Sequence, residues 1–501
     1  MENKTELDEQ AQIRLAKLTK FRTTGIDPYP HNAPRTHLVS EIRTKHNSLD
    51  IDSQTGEIVS IAGRVMLNRI TGKLIFATLR DASDDIQVMI TADVSGEAAL
   101  SDWKEYIDLG DHVSVTGEVV TTKRGELTVK ANSWVLTAKC LHPLPDKHKG
   151  LADAEARVRQ RYLDLIVRPE SRRLVQLRSD AVASLREQLR GRGFTEVETP
   201  MLQVMHGGAN ARPFVTHINA YDMKMYMRIA PELYLKRLLV GGIEKIFEIN
   251  RNFRNEGADS SHNPEFTMLE MYEAFGDYTT MADLTKEIVL AAATAVYGST
   301  VVKHENEDGS IVEHDLANGW KSIQVCTAIS DAVGETITVD TDPAKLKSIA
   351  AKLDIALKPD WENGQIILEL YEHLAESKTV LPTFYTDFPQ SVSPLTKAHR
   401  NNKLLAEKWD LVTFGFELAT GYSELNDPQD QRNRFAAQQA LAASGDDEAM
   451  RMDEDFIKAL EYGMPPAGGQ GMGIERLLMA LTGKGIRDTI LFPLVKPIPN
   501  D

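Results

Sequence analysis

Several features are scarce in this 501-residue sequence, and each scarcity argues against a class of protein. There are only two cysteines, Cys140 and Cys326, which allow no disulfide framework and no cysteine-rich zinc site, and which suit a reducing compartment. The longest apolar run, residues 288–297, is far too short to span a bilayer. The start of the chain, MENKTELDEQ, is acidic and polar, unlike a secretory signal. We therefore expect a cytoplasmic protein with no membrane partner.

Positive charge is also in short supply, since 57 Lys+Arg face 73 Asp+Glu and the net charge is −16. The deficit is uneven: residues 1–150 have a balance of −2, and the remaining 351 residues have a balance of −14. A nucleic acid would therefore bind to local basic patches or to the N-terminal part. The carboxylates of the larger part suit Mg²⁺ or a cationic substrate, although solubility alone explains them equally well.

The length predicts two or more domains. Residues 1–57 form a predicted N-terminal extension with a helix over residues 7–20. Residues 58–142 contain five short alternating strands and one helical segment near residues 96–109, which is typical of a five-stranded OB barrel that binds oligonucleotides. A linker is predicted over 143–150 and a larger domain over 151–501. The candidate RNA-facing residues of the barrel, each of which could equally be an ordinary barrel residue, are Arg64, Phe76, Gln87 and Glu126.

Residues 247–272 of the larger domain predict two strands, 247–254 and 264–272, joined by a polar loop. Alternation places one set of side chains on a single face of the first strand: Glu248, Asn250, Asn252 and Arg254. It places a second set on one face of the other strand: Phe266, Met268, Glu270 and Tyr272. If the two faces coincide, the surface is too charged for a simple core, because burying unpaired charge is unfavourable. The alternative is a solvated hairpin face.

Around this hairpin, the sequence predicts a long helix over residues 171–190, a strand over 194–202 that ends near Pro200, and a helical insertion over about 322–378. Two further clusters carry possible chemistry. In residues 410–427, simple alternation puts Asp410 and Glu417 on opposite faces, so a bulge or twist is needed for both to bind one ion. Residues 467–481 form a glycine-rich loop before a helix with Arg476, which together offer a possible phosphate site.

These clusters together resemble the three signature motifs of class II aminoacyl-tRNA synthetases, most closely the lysyl-tRNA synthetases. The resemblance covers nearly the whole chain. The segments that carry it include LPDKHKGLADAEARVRQRYLDL (143–164), HGGANARPF (206–214), HNPEFTMLEMY (262–272), GYSELNDP (421–428) and IRDTILFP (486–493). The resemblance implies an α+β multidomain protein: an OB barrel followed by a catalytic domain on an antiparallel sheet flanked by helices. It also implies a homodimer that uses L-lysine, ATP and tRNA(Lys), and no DNA.

The resemblance assigns roles to matching residues. The residues expected at ATP are Arg254, Glu256, His262, Asn263, Phe266, Asp410, Glu417, Gly473 and Arg476, with Arg254 and Arg476 as the catalytic groups. The residues expected at lysine are Gly208, Glu232, Arg254, Glu270, Tyr272, Thr420, Tyr422, Glu424 and Gly471. Asp410 and Glu417 are the expected ligands of Mg²⁺, of which the family binds up to three ions per subunit.

Several positions depart from the common family pattern. Asp410 stands where Glu is usual, Thr420 replaces Asn, Tyr422 replaces Phe, Glu475 stands where Asp is frequent, and GFE (415–417) replaces a basic residue before the acid. Rival interpretations also remain. An aspartate or asparagine enzyme would need a cationic pocket, and a relative that lysylates elongation factor P would lack the N-terminal barrel. A lipid-lysylating form would need an added transmembrane region. A non-catalytic RNA-binding scaffold would have no use for Arg254 and Arg476.

Overall fold

The computed structural model describes residues 4–145, 151, 153–259, 262–306, 308–443 and 450–497. The chain divides into two compact units, Met1–Ala152 and Asp153–Asp501. Most of the predicted linker, residues 146–150, lies outside the described residues. Among the helices that the structure describes, none combines the length and apolar character needed to cross a membrane.

The first unit is a closed five-stranded barrel with helices before and within it. Its elements are α1 (Lys4–Arg22), α2 (Val39–Lys45), β1 (Gln54–Thr71), β2 (Leu74–Arg80), β3 (Asp85–Thr91), α3 (Ala92–Ser95), α4 (Glu97–Tyr106), β4 (His112–Thr121) and β5 (Leu127–Ala138). The strands close in the order β1-β2-β3-β5-β4. Alternate residues of β2 and β3 are buried in the barrel, as the period-two pattern predicts. The predicted barrel of the OB type is therefore confirmed, and β1 begins a few residues earlier than expected.

The second unit begins with helices and short strands that lead into the central hairpin. Its elements are α5 (Ala154–Arg159), α6 (Arg161–Val167), α7 (Pro169–Gly191), β6 (Thr195–Glu196), β7 (Leu202–Gln203), β8 (Val215–Ile218), β9 (Met223–Met227), α8 (Glu232–Val240), β10 (Lys245–Phe253), β11 (Glu265–Ala274) and α9 (Tyr278–Tyr297). The predicted strand over residues 194–202 is wrong, because only its two ends are strands. Pro200 has no N–H for a ladder, and the intervening backbone instead binds neighbours such as Arg228.

The rest of the second unit completes the sheet and adds a helical insertion. Its elements are β12 (Val301–Glu305), β13 (Ile311–Asp315), β14 (Lys321–Gln324), α10 (Val325–Val333), α11 (Pro343–Lys352), α12 (Asn363–Leu374), β15 (Thr383–Thr386), β16 (Lys408–Thr413), β17 (Phe416–Ser423), α13 (Pro428–Ala443), α14 (Glu454–Glu461), β18 (Ala467–Gly473), α15 (Ile474–Thr482) and α16 (Ile486–Thr489). Helices α10–α12 share an apolar cluster of their own, as expected for an insertion.

The second unit is built on an eight-stranded sheet with the strand order β14-β15-β16-β17-β18-β11-β10-β6. All neighbours are antiparallel except the outer pairs β14–β15 and β10–β6. The largest apolar cluster lies between this sheet and α7, α9 and α15. The hydrophobic side of α7, which includes Leu177, Leu185 and Leu189, enters this core. The α+β architecture is confirmed.

Two predicted segments take a different form. Residues 467–473 are not a loop but strand β18, paired on one side with β11 and on the other with β17. Residues 410–417 are not one strand, because the chain turns at Phe414 and Gly415, both with positive φ. The hairpin of β16 and β17 that results contains an irregularity after Leu411. Because Asp410 and Glu417 lie on different strands of this hairpin, alternation along a single strand does not decide whether both can face one ion.

Candidate active site

The two strands of the central hairpin face each other as the sequence predicts. Glu248 pairs with Glu270, and Asn252 pairs with Phe266, across β10 and β11. Their environments differ, however. Glu248 is buried and accepts hydrogen bonds from Arg228 at 2.7 Å and from Thr199 at 2.7 Å, so its charge is already matched. Glu270 on β11 instead lines a cavity.

A cavity of about 200 Å³ lies over the middle of the sheet, and we call it the small cavity. It brings together eight of the residues expected at lysine: Gly208, Glu232, Arg254, Glu270, Tyr272, Thr420, Tyr422 and Gly471. Its wall also contains residues that sequence reasoning missed, among them Asn210, Lys408 and Gln470. Both polar atoms of the Gln470 side chain are buried without a hydrogen-bond partner within the described residues. In the sequence, only the position of Gln470 within the glycine-rich segment could have indicated that it lies at the site.

Strand β18 forms the floor of the small cavity and places glycine between the functional side chains. Gly471 pairs with Glu270 on one side and with Thr420 on the other. Gly469 pairs in the same way with Tyr272 and Tyr422. A Cβ atom at Gly469 would lie only 1.8 Å from an oxygen of Glu424. The absence of side chains at these positions therefore leaves room for the side chains of Glu424, Tyr272 and Met268 against this strand.

Glu424 does not line the small cavity, although the resemblance placed it at the substrate. It is buried, and its Oε2 atom lies 2.5 Å from the ammonium of Lys236. The same ammonium donates to Glu232 Oε1 at 2.6 Å. The other oxygen of Glu232 accepts a hydrogen bond of 2.7 Å from the phenol of Tyr422. Lys236 therefore links the wall of the cavity to a carboxyl group behind it.

Burial has strong effects on the charges of this region. Burial, reinforced by the nearby charge of Glu232, raises the pKa of Glu270 to about 8. Burial also raises the pKa of Glu424, against the opposing influence of Lys236. Burial disfavours the ammonium of Lys236, but the carboxylates of Glu232 and Glu424 outweigh it and raise the pKa of Lys236. Lys236 is therefore held as an ammonium between two carboxyl groups behind the wall of the small cavity.

A second cavity of about 410 Å³ shares Arg254, Met268, Lys408 and other wall residues with the small cavity. We call it the large cavity. It collects most of the residues expected at ATP: Arg254, Glu256, His262, Asn263, Phe266, Glu417, Gly473 and Arg476. Arg476 donates to the carbonyl oxygen of Glu417 at 2.7 Å. Two guanidinium groups, of Arg254 and Arg476, and the aromatic ring of Phe266 suit a nucleotide.

The two expected magnesium ligands lie on the β16–β17 hairpin. Glu417 lines the large cavity, whereas Asp410 is buried and does not line either cavity. Asp410 Oδ1 has no hydrogen-bond partner within the described residues, and Lys408 Nζ lies 3.1 Å from the carboxylate. A buried carboxylate oxygen of this kind receives no hydrogen bond, lies 3.1 Å from the Lys408 ammonium and suits a hard cation. No group of three or more His, Cys, Asp or Glu ligands occurs among the described residues, so phosphate and water oxygens would complete the coordination.

The barrel unit has a separate cavity of about 610 Å³, which we call the barrel cavity. Phe76, Gln87 and Glu126 line it. Arg64 does not; it donates to the carbonyl oxygen of Gly110 at 2.8 Å. Sequence reasoning missed Arg69, which lines the barrel cavity and pairs directly with Phe76 across β1 and β2. The turn signal at residues 71–72 could have revealed it, because a tight turn there brings these two positions opposite each other.

Comparisons with known proteins give the same assignment for both units. The family described as tRNA synthetases class II (D, K and N) matches residues 153–496. The OB-fold nucleic acid binding domain matches residues 59–137.

A curated relative covers the chain from end to end. This protein of Kineococcus radiotolerans, named Lysine--tRNA ligase, is 52% identical over 98% of both chains. Two proteins named Lysylphosphatidylglycerol biosynthesis bifunctional protein LysX, from Nocardia farcinica and Gordonia bronchialis, are each 51% identical over 98% of this chain. The chain spans only 43% and 42% of their respective lengths. The chain therefore belongs to the class II tRNA synthetases of the D, K and N group, with an OB-fold nucleic acid binding domain ahead of its catalytic domain.

Proposed function

We propose that this protein is a lysine–tRNA ligase, which activates L-lysine with ATP and transfers the lysyl group to the 3′ end of tRNA(Lys). The observation that carries the proposal is the chemistry of the small cavity: Glu270 and Tyr272 line it, and it shares wall residues with the large cavity. Carboxyl and phenol groups suit the ammonium of a lysine side chain. An aspartate or asparagine substrate would instead need a cation or an amide partner at this end.

In this proposal lysine spans the small cavity from end to end. Its ε-ammonium contacts Glu270 and Tyr272, and its α-amino group contacts Glu232 and the backbone near Gly208. Its carboxylate lies at Arg254, which lines both cavities and can bind a carboxylate and a phosphate with one planar group. The reacting carboxylate is thereby held beside the nucleotide.

ATP occupies the large cavity, with adenine between Phe266 and Arg476. One carboxylate oxygen of lysine attacks the α-phosphorus in line, and pyrophosphate leaves as lysyl-adenylate forms. No protein nucleophile is needed, since Arg254 and Arg476 position the groups and match the charge on the phosphates. Asp410 and Glu417 would hold Mg²⁺, which when bound neutralises phosphate charge.

The second step transfers the lysyl group to a terminal ribose hydroxyl of tRNA, with AMP as the leaving group. We assign anticodon reading to the barrel cavity, where Phe76 offers a stacking ring and Gln87 and Glu126 offer polar contacts. We also propose that the enzyme acts as a cytoplasmic homodimer, with neither a DNA partner nor a membrane partner. The scaffold interpretation is disfavoured, because a passive RNA-binding protein has no need of the two joined cavities.

The two LysX relatives raise a second candidate function, since their name refers to lysylphosphatidylglycerol synthesis. The chain matches them over less than half of their length. In this alternative, the lysyl-tRNA made here would supply a lipid-modifying reaction rather than translation. The chemistry of the two cavities is the same in both cases, and only the fate of the product differs.

Pyrophosphate exchange tests the proposal. The protein is incubated with ATP, labelled pyrophosphate and either lysine, aspartate or asparagine. We expect exchange with lysine alone, followed by lysylation of tRNA(Lys) in a charging assay. Exchange with aspartate or asparagine, or no exchange with any of the three, would contradict the proposal. Transfer of labelled lysine from charged tRNA to phosphatidylglycerol vesicles separates the second candidate function from the first.

A further inference from the structure

Glu475 is a buried acid at the start of α15 with no role in the mechanism so far. It lines the large cavity, but its side chain is only 2% exposed. Both carboxylate oxygens are already engaged: Oε1 accepts a hydrogen bond of 2.9 Å from Arg178 Nη2, and Oε2 accepts one of 2.9 Å from the backbone N–H of Thr267. The same Arg178 nitrogen donates to Thr267 Oγ1 at 2.9 Å. The charge of Glu475 is therefore matched and its position fixed, so it is not available as a ligand.

The contact with Thr267 lies at the end of a β ladder. The pairing of β11 with β18 ends at Met268 and Gly473, where the chain leaves the sheet to form α15. The N–H of Thr267 is one residue beyond that end, and a buried N–H without an acceptor is unfavourable. Glu475 supplies the acceptor from the first turn of α15. The carboxylate therefore joins the start of the helix to the strand at the point where the ladder stops.

Each residue of this contact is next to an expected nucleotide contact. Thr267 follows Phe266 on β11, and Glu475 precedes Arg476 on α15. Phe266 and Arg476 both line the large cavity. The head of the Arg476 side chain is held separately, by the carbonyl oxygen of Glu417 at 2.7 Å. The bond between Glu475 and Thr267 thus connects the strand that carries the ring to the helix that carries the guanidinium.

We propose that Glu475 is a positioning residue of the nucleotide site: with Arg178 it holds the first turn of α15 against β11, and it thereby sets the separation of Phe266 and Arg476. The inference rests on the proposed function and deepens it, because it names the pair that fixes the space for adenine. A ring and a guanidinium plane stack on one base only where their spacing is kept to about 0.5 Å. A long arginine side chain does not provide that precision alone, since it has many rotamers.

A double-mutant cycle tests this role. The variants are Glu475→Gln, Arg178→Met and the double variant, each assayed in pyrophosphate exchange for kcat and for the KM of ATP and of lysine. The amide of Glu475→Gln has one oxygen for two donors, so one contact is lost. Arg178→Met leaves a buried carboxylate without its cation. We expect either single variant to raise the KM for ATP about tenfold, as for the loss of one hydrogen bond to a charged group, and to change the KM for lysine less than about twofold.

The double variant should recover much of the affinity for ATP. Its amide oxygen can accept from the N–H of Thr267, and its amide nitrogen can donate to Thr267 Oγ1, which the loss of Arg178 leaves free. The KM for ATP should therefore fall below that of both single variants. A KM equal to or above theirs would overturn the proposal, because the bond between helix and strand would then not be what sets the site.

Calorimetric titration adds a measurement that a merely structural role would not produce. Binding of AMP reports on the adenine site, and binding of lysine reports on the small cavity. We expect Glu475→Gln to bind AMP about tenfold more weakly and to bind lysine as the unmodified enzyme does. Equal weakening of both ligands would overturn the proposal, since Glu475 would then support the fold in general. Unchanged binding of AMP would overturn it as well.

Glu287→Gln is the matched control, because Glu287 on α9 forms an exposed pair of 2.7 Å with Arg192, the residue that follows α7. It should keep the KM values of the unmodified enzyme. Should a single variant fail to fold, the double variant is compared with the unmodified enzyme. A KM for ATP within about threefold then supports the proposal, and a larger increase contradicts it.

Failure of the proposed function would be recognisable by itself, because the unmodified enzyme would then show no exchange with lysine. Failure of the inference about Glu475 would instead leave exchange by the unmodified enzyme intact, and only the variants would depart from expectation.

Discussion

The phenol of Tyr272 donates a hydrogen bond to Glu270 Oε2 across 3.1 Å, between two residues on the same face of β11. The contact fixes the direction of the carboxyl group without neutralising it. Gly471 lies directly opposite Glu270 on β18, so no side chain covers it from that strand. Glu270 is thus a buried, oriented acid that lines the small cavity.

Lysine affinity should depend on pH through Glu270. Burial and the charge of Glu232 raise its pKa to about 8, and an ammonium binds to the ionised form. Affinity should therefore increase roughly tenfold between pH 6.5 and 8, as the ionised fraction grows. Calorimetric titration with lysine measures this directly. Glu270→Gln should bind lysine more weakly and with little dependence on pH, whereas a flat profile in the unmodified enzyme would show that Glu270 is not the acceptor.

Glu270 should also lower the free energy of unfolding of the lysine-free protein at alkaline pH. Its pKa is about 8 when folded and 4.5 in the ordinary state, so the folded protein keeps a proton that the unfolded chain has lost. Stability therefore falls as pH rises from 4.5 to 8, by about 1.4 kcal/mol for each pKa unit. Without lysine, Glu270→Gln should unfold at a higher temperature than the unmodified protein at pH 8, and the difference should shrink towards pH 5. A constant difference across this range would contradict the assignment.

Arg254 should be essential for adenylate formation. Its guanidinium carbon lies 5.1 Å from the centroid of the Phe266 ring, and its Nε atom is buried without a hydrogen-bond partner within the described residues. We expect Arg254→Ala to lose pyrophosphate exchange by about 10³-fold or more, as for the loss of a major electrostatic group. Arg254→Lys should recover little, since an ammonium lacks the planar fork. Arg186→Ala, which removes an exposed arginine paired with Glu196, is the control and should retain exchange.

Asp410 should set the requirement for magnesium. Its Oδ1 atom has no hydrogen-bond partner within the described residues. Asp410→Asn should therefore raise the Mg²⁺ concentration needed for half-maximal exchange by about tenfold, since magnesium prefers a carboxylate oxygen to an amide. Asp331→Asn, at an exposed position of α10, should leave the requirement unchanged. The same requirement in Asp410→Asn as in the unmodified enzyme would place the metal elsewhere.

The barrel cavity should affect tRNA without affecting amino-acid activation. Arg69 and Phe76 line it side by side, so Arg69→Ala and Phe76→Ala should raise the KM for tRNA(Lys), by roughly tenfold for a lost stacking ring. Pyrophosphate exchange, which needs no tRNA, should be unchanged. Arg64→Ala is the informative comparison, because this side chain binds the Gly110 carbonyl outside the barrel cavity and should affect stability rather than tRNA. A selective tRNA defect in Arg64→Ala would reverse the assignment.

Much of the architecture was predictable because its pattern is local. Period-two alternation identified the barrel strands and the central hairpin, and it placed Glu270 and Tyr272 on one face. The glycine-rich strand β18 was not predictable in this way, since glycine carries no alternation and lacks the side chains that favour strands. The turn at Phe414 was missed for a related reason, because its apolar residues continue the pattern of the strand before it.

The contacts of the candidate site were likewise predictable only where they are local in the sequence. The i,i+4 spacing of Glu232 and Lys236 is visible in the sequence, but the contact between Lys236 and Glu424 joins a helix to a residue far along the chain. Such a pair depends on the tertiary fold. The resemblance to a family pointed to Glu424, but it could not show that the ammonium of Lys236 lies 2.5 Å from this carboxyl group.

The glycine floor has a consequence for how such enzymes diversify. Strand β18 contributes mainly backbone around Gly469 and Gly471, so it offers no side chain there that would favour one charge of the substrate amino acid over another. The family matched here includes enzymes for an acidic, a basic and a neutral amino acid on one framework. A lineage could exchange one substrate for another by replacing side chains on β11 and β17, while strand β18 and the large cavity are inherited unchanged.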